Sequence, residues 1–296
     1  MLACSSELAM ITMMMRRSIK VWNFILIALV FLGLTGCATS LLYNHAGWLL
    51  TQQLDGYFDL SKSQKKFVSS RLESILDRHR HEALPRYESL LLQVEDRIRR
   101  GLTRDDIAWG FAQFDQLKTD LFTRFAGDGG EFIRLVNDQQ IPRLRRSLHQ
   151  RLSREEALLR DGAQARQVKR AEKLVSIAKD WLGSLTREQE QIIIRLSMDL
   201  PDTLPAWYAH QSSRNSQLVA IVEQRSDPRI QERLSEWLVD QEKYADPTFL
   251  LQIEQLRQQT AGLILAIDRV ATSEQRHHAI AKLNDLALTI HALSRA

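Results

Sequence analysis

The sequence predicts an all-α fold, an elongated bundle of about eight to ten helices behind a cleaved N-terminal leader. Three observations predict it. Five segments carry Ser or Thr followed three residues later by Gln, Glu or Asp, each behind an apolar residue: Leu60-Ser61, Leu102-Thr103, Leu152-Ser153, Leu185-Thr186 and Ala271-Thr272. Such a hydroxyl caps the free N–H groups of a first helical turn, the residue three on reaches back, and the apolar neighbour staples the entry. Apolar residues also recur every three or four positions, as in Ile280, Leu283, Leu286, Ile290 and Leu293. Lastly, the 296 residues hold twelve glycines and six prolines. That is about half the usual share of roughly 7% and 5%, too few for a turn-rich β chain.

The first 36 residues read as a signal peptide rather than as fold. Arg16, Arg17 and Lys20 form a basic start, and Val21 to Leu34 form a run broken only by Asn23. A run of that length falls short of the ~20 residues that span a bilayer and suits a signal-peptide core. Residues 1–12 lack this character, so the start is expected near 13–15. Leu34-Thr35-Gly36-Cys37 follows. Small residues admit a peptidase, and the thiol accepts a diacylglyceryl group. The pattern resembles the lipobox of bacterial lipoproteins, which implies that Cys37 carries lipid. The other cysteine, Cys4, would leave with the leader, so residues 37–296 have no intrachain disulfide to form.

Along residues 37–296, Phe67, Leu72, Ile75, Leu84, Tyr87, Leu91, Val94 and Ile98 lie roughly on one face of a first long helical segment. Pro85 should kink or split it, and Pro142 should do the same to segment 130–151. Breaks are expected at Gly101, at Gly127-Asp128-Gly129-Gly130, near Gly183, at 201–205, at Asp227-Pro228 and at Asp246-Pro247. The Arg-rich stretch near 150–185 is the place for a sub-bundle boundary, spanned by one long helix. Ile192-Ile193-Ile194 is the one strand-like run, and it sits inside a capped helical pattern.

Charge narrows the partners. Without residues 1–36 the chain carries 37 Lys and Arg against 35 Asp and Glu, net +2. A near-neutral chain with a leader is a poor match for nucleic acid. Residues 143–170 are the local exception, with nine basic against three acidic side chains. Arg143, Arg145, Arg146 and Arg151 are the candidate anion-binding residues, since guanidinium groups bind phosphate and carboxylate in pairs of hydrogen bonds. Their expected ligand is an anionic lipid or an acidic envelope protein.

No constellation implies a reaction. His79, His81 and Glu82 read as a solvated helix face, because residues two apart on a helix face different ways. His277-His278 fails as a metal site for the same reason. There is no His-Glu-x-x-His, no cysteine pair, no Gly-x-Ser-x-Gly and no phosphate-cradling loop. No metal or other cofactor is expected. Tyr87-Glu88-Ser89 is similar to the helical Glu-Ser of lytic transglycosylases, whose Glu acts as general acid. Their downstream Gly-Leu-Met-Gln-type signature is missing. Trp48, Tyr57 and Phe58 either pack in the core or dock at a membrane interface, and core packing is the reading adopted.

Residues 37–100 resemble a family of uncharacterised Gram-negative lipoproteins with a domain of unknown function. The resemblance rests on Cys37, Leu42-Tyr43-Asn44, Trp48, Tyr57-Phe58-Asp59-Leu60, Gln64 and Leu84-Pro85-Arg86-Tyr87. It implies a helical envelope lipoprotein and brings no catalytic residues. Ala38, rather than Asp, follows the cysteine, which implies transport to the periplasmic face of the outer membrane. Leu185-Thr186-x-x-Gln189 and Leu60-Ser61-x-x-Gln64 are also similar to the repeats of periplasmic stress chaperones. The expected function is therefore non-enzymatic binding at the envelope, as a structural or assembly factor. A chaperone-like holdase is the alternative, and a cell-wall hydrolase the third reading.

Overall fold

A computed structural model describes the backbone of residues 36–296 and the side chains of residues 40–296. The signal-peptide reading of residues 1–36 and the thiol of Cys37 lie outside the described residues, except for the backbone of Gly36 and Cys37. The described part is all helical. Its twelve helices are α1 (Gly36–Asn44), α2 (Ala46–Phe58), α3 (Lys62–Glu82), α4 (Leu84–Arg100), α5 (Arg104–Arg134), α6 (Gln140–Leu159), α7 (Ala163–Leu182), α8 (Arg187–Asp199), α9 (Leu204–Glu223), α10 (Ile230–Val239), α11 (Pro247–Val270) and α12 (Ser273–Ser294). None of them is long and apolar enough to cross a membrane.

Twelve exceeds the expected eight to ten for local reasons. Pro85 splits the first long segment cleanly, with Ala83 serving as the end of α3 and the start of α4. Residues 36–58 supply two further helices. Four of the five capping signals form full capping boxes, at Ser61, Thr103, Thr186 and Thr272. The fifth fails. Ser153 lies inside α6 and bonds back to the Gln150 carbonyl, because Leu144, Leu148 and Leu152 bury one unbroken stripe along that helix. The Arg-rich stretch is likewise two helices, broken at residues 160–162, rather than one.

The helices sort into two packed groups. The first, α2, α3, α5, α6, α9 and α10, encloses a core that includes Phe58, Leu72, Leu144, Val222 and Ile230. The second is built from α4, α7, α8, α11 and α12, with α1 lying on α12. Its buried residues include Ala171, Ala178, Ala279 and Ala287. The chain crosses between the groups six times, at the connections after α1, α3, α4, α6, α8 and α10. The two groups meet chiefly where α3 packs on α4, with smaller contacts of α11 on α5 and α9 and of α12 on α3.

Candidate functional site

The helix that contains the Cys37 backbone, α1, ends in a hydrogen-bonded hub. Tyr43, on α1, places its hydroxyl 2.9 Å from Nδ1 of His79 on α3. Tyr87, on α4, places its own 3.1 Å from Nε2 of the same ring. Arg80 adds a second tie. It donates to Asn44 at 3.0 Å and to the Leu293 carbonyl of α12, and its guanidinium lies 5.3 Å from the Tyr43 ring centre. Four helices thus meet around two adjacent residues of α3. The next residue of α4, Glu88, pairs with His291 of α12 at 3.0 Å.

The sequence reading of His79 as part of a solvated face is therefore wrong. The ring is buried, because the Pro85 break turns α4 back so that Tyr87 meets the last turns of α3. His81 does stay exposed and pairs with Asp77. Among the described residues no group of three or more His, Cys, Asp or Glu side chains is arranged to hold a metal. Burial, helped by the Arg124 charge, lowers the His79 pKa from 6.5 to about 4. Burial raises that of Tyr43 to about 12. Groups so far from neutral pH are poorly matched to proton transfer. The hub is built as a joint.

A pH dependence follows. Between pH 6.5 and about 4 the unfolded chain protonates this imidazole and the folded one does not. Stability should fall as pH drops through that window, by up to ~3 kcal/mol from His79. His210 is shifted the same way by its own burial and adds to the loss. Urea unfolding at pH 7, 5 and 4 should show a shallower pH slope for His79→Phe than for the parent. An unchanged slope would remove His79 from this account.

Two further joints repeat one chemistry. Gln64, from the α3 capping box, and Gln140, at the start of α6, exchange amide hydrogen bonds at 2.9 Å in both directions. Gln189 and Gln275, from the α8 and α12 capping boxes, do the same at 2.8 and 2.9 Å. All four glutamines are buried. The sequence signalled three of them as local caps. Gln140 was missed, because the residue it bonds reciprocally, Asn137, lies in a turn with no Ser or Thr start signal.

The candidate anion-binding arginines divide. Arg145 pairs with Glu223 at 2.6 Å, and Arg151 lies 4.0 Å over the Tyr57 ring. Arg143 is exposed and feels the Asp55 carboxylate, while Arg146 is exposed on the same helix. The three aromatics divide as well. Phe58 is buried edge-on against Phe132 at 5.1 Å, and Tyr57 is half-buried under Arg151. Core packing fails for Trp48, which is 63% exposed.

One family model matches, over residues 56–249, and is described as a Family of unknown function (DUF6279). The match takes in Tyr57-Phe58-Asp59-Leu60, Gln64 and Leu84-Pro85-Arg86-Tyr87, and leaves out Cys37, Tyr43 and Trp48. No curated protein matches the chain, and no solved structure matches it.

Proposed function

The chain belongs to that family of unknown function, and we propose that this member is a lipid-anchored, non-enzymatic protein of the periplasmic face of the outer membrane. It acts by binding, as a structural or assembly factor of the envelope. The observation that carries the reading is Leu34-Thr35-Gly36-Cys37 directly behind an apolar run. The hub supports it mechanically, since Tyr43, six residues after Cys37, is bonded into three other helices through His79, Tyr87 and Arg80. Two or more acyl chains hold a protein stably at a membrane, at ~0.8 kcal/mol per buried CH₂. Exposed Arg143 and Arg146 are the side chains left to meet an anionic lipid or an acidic envelope protein.

Cys37→Ala tests this. The variant should lack acyl mass and accumulate as an uncleaved precursor. A variant that matures to the parent's mass and fractionates with the outer membrane would overturn the reading.

One observation favours a second reading, a holdase. Residues 108–125 of α5 carry Trp109, Phe111, Phe114, Leu117, Phe122 and Phe125, and none of these is fully buried. Half-covered aromatics on a long helix suit transient contact with unfolded chains. Aggregation of an unfolded model client, with and without the acylated protein, separates the two readings.

A further inference from the structure

The helical path from residue 36 to 58 has two unlike sides. Hydrogen bonds run almost unbroken through the Asn44–His45 step, from His45 N to the Leu41 carbonyl at 3.1 Å and from Leu49 N to the His45 carbonyl at 3.0 Å. Positions 43, 47, 51, 54 and 58 step by four, four, three and four along it, so they share one stripe. That stripe faces the protein. Tyr43 bonds His79, Gly47 approaches Leu76 to 3.5 Å at its Cβ position, Thr51 and Phe58 are buried, and Leu54 packs on the core.

Positions 37, 41, 45, 48 and 52 step by four, four, three and four along a second stripe, about 120° around the helix from the first. Leu41 is 44% exposed and Trp48 is 63% exposed, with exposed His45 and Gln52 between and beyond them. Asp55 is the one Asp, Glu, Lys or Arg in the 23 residues, and it lies at the far end. At ~1.5 Å rise per residue, positions 37 to 48 cover about 16 Å.

We propose that this outer stripe lies flat on the bilayer surface, with Leu41 and Trp48 seated at the boundary between headgroups and acyl chains. The proposal rests on the reading of Cys37 as the acylated residue. The lipid then sits at a register position of the stripe itself, so anchor and stripe reach the same surface. An indole prefers that depth because its ring is apolar and its N–H stays wet. The side carries no charge that would resist partial burial. Because Tyr43, Asn44 and Arg80 fix the inner stripe to the body, the protein is held in one orientation and does not swing on a tether.

The test uses the full-length protein, processed and purified from membranes, in phosphatidylcholine vesicles containing a lipid brominated near the top of its acyl chain. Mass spectrometry first reads the acyl mass on Cys37. Bromine should quench one component of the tryptophan emission, and Trp48→Phe should abolish that quenching. Leu41→Glu with Trp48 retained should weaken it. Acylated protein whose Trp48 emission is unquenched would overturn the proposal and leave anchoring intact. Absence of acyl mass would overturn the anchoring reading and the proposal with it.

Discussion

Gln64→Glu should destabilise the protein by about 3 kcal/mol or more at pH 7, although it changes one NH₂ for one oxygen. The Gln64 amide donates both of its hydrogens, to the Leu135 carbonyl at 2.7 Å and to Gln140 Oε1 at 2.9 Å. Its oxygen accepts from the Ser61 N–H at 2.9 Å and from the Gln140 amide at 2.9 Å. Every donor and acceptor of the side chain is used, in a buried place. A carboxylate keeps the two acceptor contacts and turns two others into oxygen facing oxygen. Leaving one buried polar group unmatched costs ~1–3 kcal/mol, and more when charge is involved. Gln189→Glu should behave alike, since its amide donates to the Val270 carbonyl and to Gln275. Urea unfolding measures both. A double-mutant cycle of Gln64→Leu with Gln140→Leu should show that the pair costs less than the two singles added, because each single strands the other amide. A loss below ~1 kcal/mol for Gln64→Glu would mean that the joint opens to water.

Two alanine substitutions three residues apart should act in opposite directions. Gly130→Ala places a Cβ 2.9 Å from the Gln231 Cα of α10 and closer still to its Cγ. The side-chain atom can turn away, but the backbone atom cannot, so α5 and α10 must separate. Overpacking of this kind costs ~1–3 kcal/mol, against up to ~1 kcal/mol gained by replacing a helical glycine with alanine. The expected outcome is a net loss. At Gly127 nothing lies within 4 Å of the added Cβ. Gly127→Ala should therefore stabilise by up to ~1 kcal/mol. Thermal or urea unfolding of the two variants against the parent reads the sign directly. Stabilisation by Gly130→Ala would contradict the close approach of the two helices.

The same glycines show where sequence reading stopped. Gly127-Asp128-Gly129-Gly130 reads as a break, since glycine is the weakest ordinary helix former. The structure runs α5 straight through it. The local preference yields because Gly129 and Gly130 let α10 pack against α5, with Leu234 and Gln231 filling the space a side chain would take. At the other doubtful points local chemistry was enough. Pro85 ends one helix and opens the next, Gly101 and Gly183 take positive φ where helices stop, and Asp246 caps α11 ahead of Pro247.

The sequence by itself determined what depends on a few neighbouring residues. It specified an all-helical chain, the capping boxes at Ser61, Thr103, Thr186 and Thr272, and most of the breaks, because a cap or a proline acts within about one turn. Of the candidate sites, Cys37 and the arginines were legible as residue types in a pattern. Tertiary structure alone decided the joints and the exposed faces. Gln64 meets Gln140 across 76 positions and Gln189 meets Gln275 across 86. His79 leaves the solvent because Tyr43, 36 residues earlier, and Tyr87, eight residues later, close over it. Trp48 stays outside while Phe58, on the same helix, is buried. Each of these outcomes turns on which face of one helix another covers. That choice minimises exposed apolar surface and unmatched polar groups over the whole chain at once, and no window of neighbouring residues contains it.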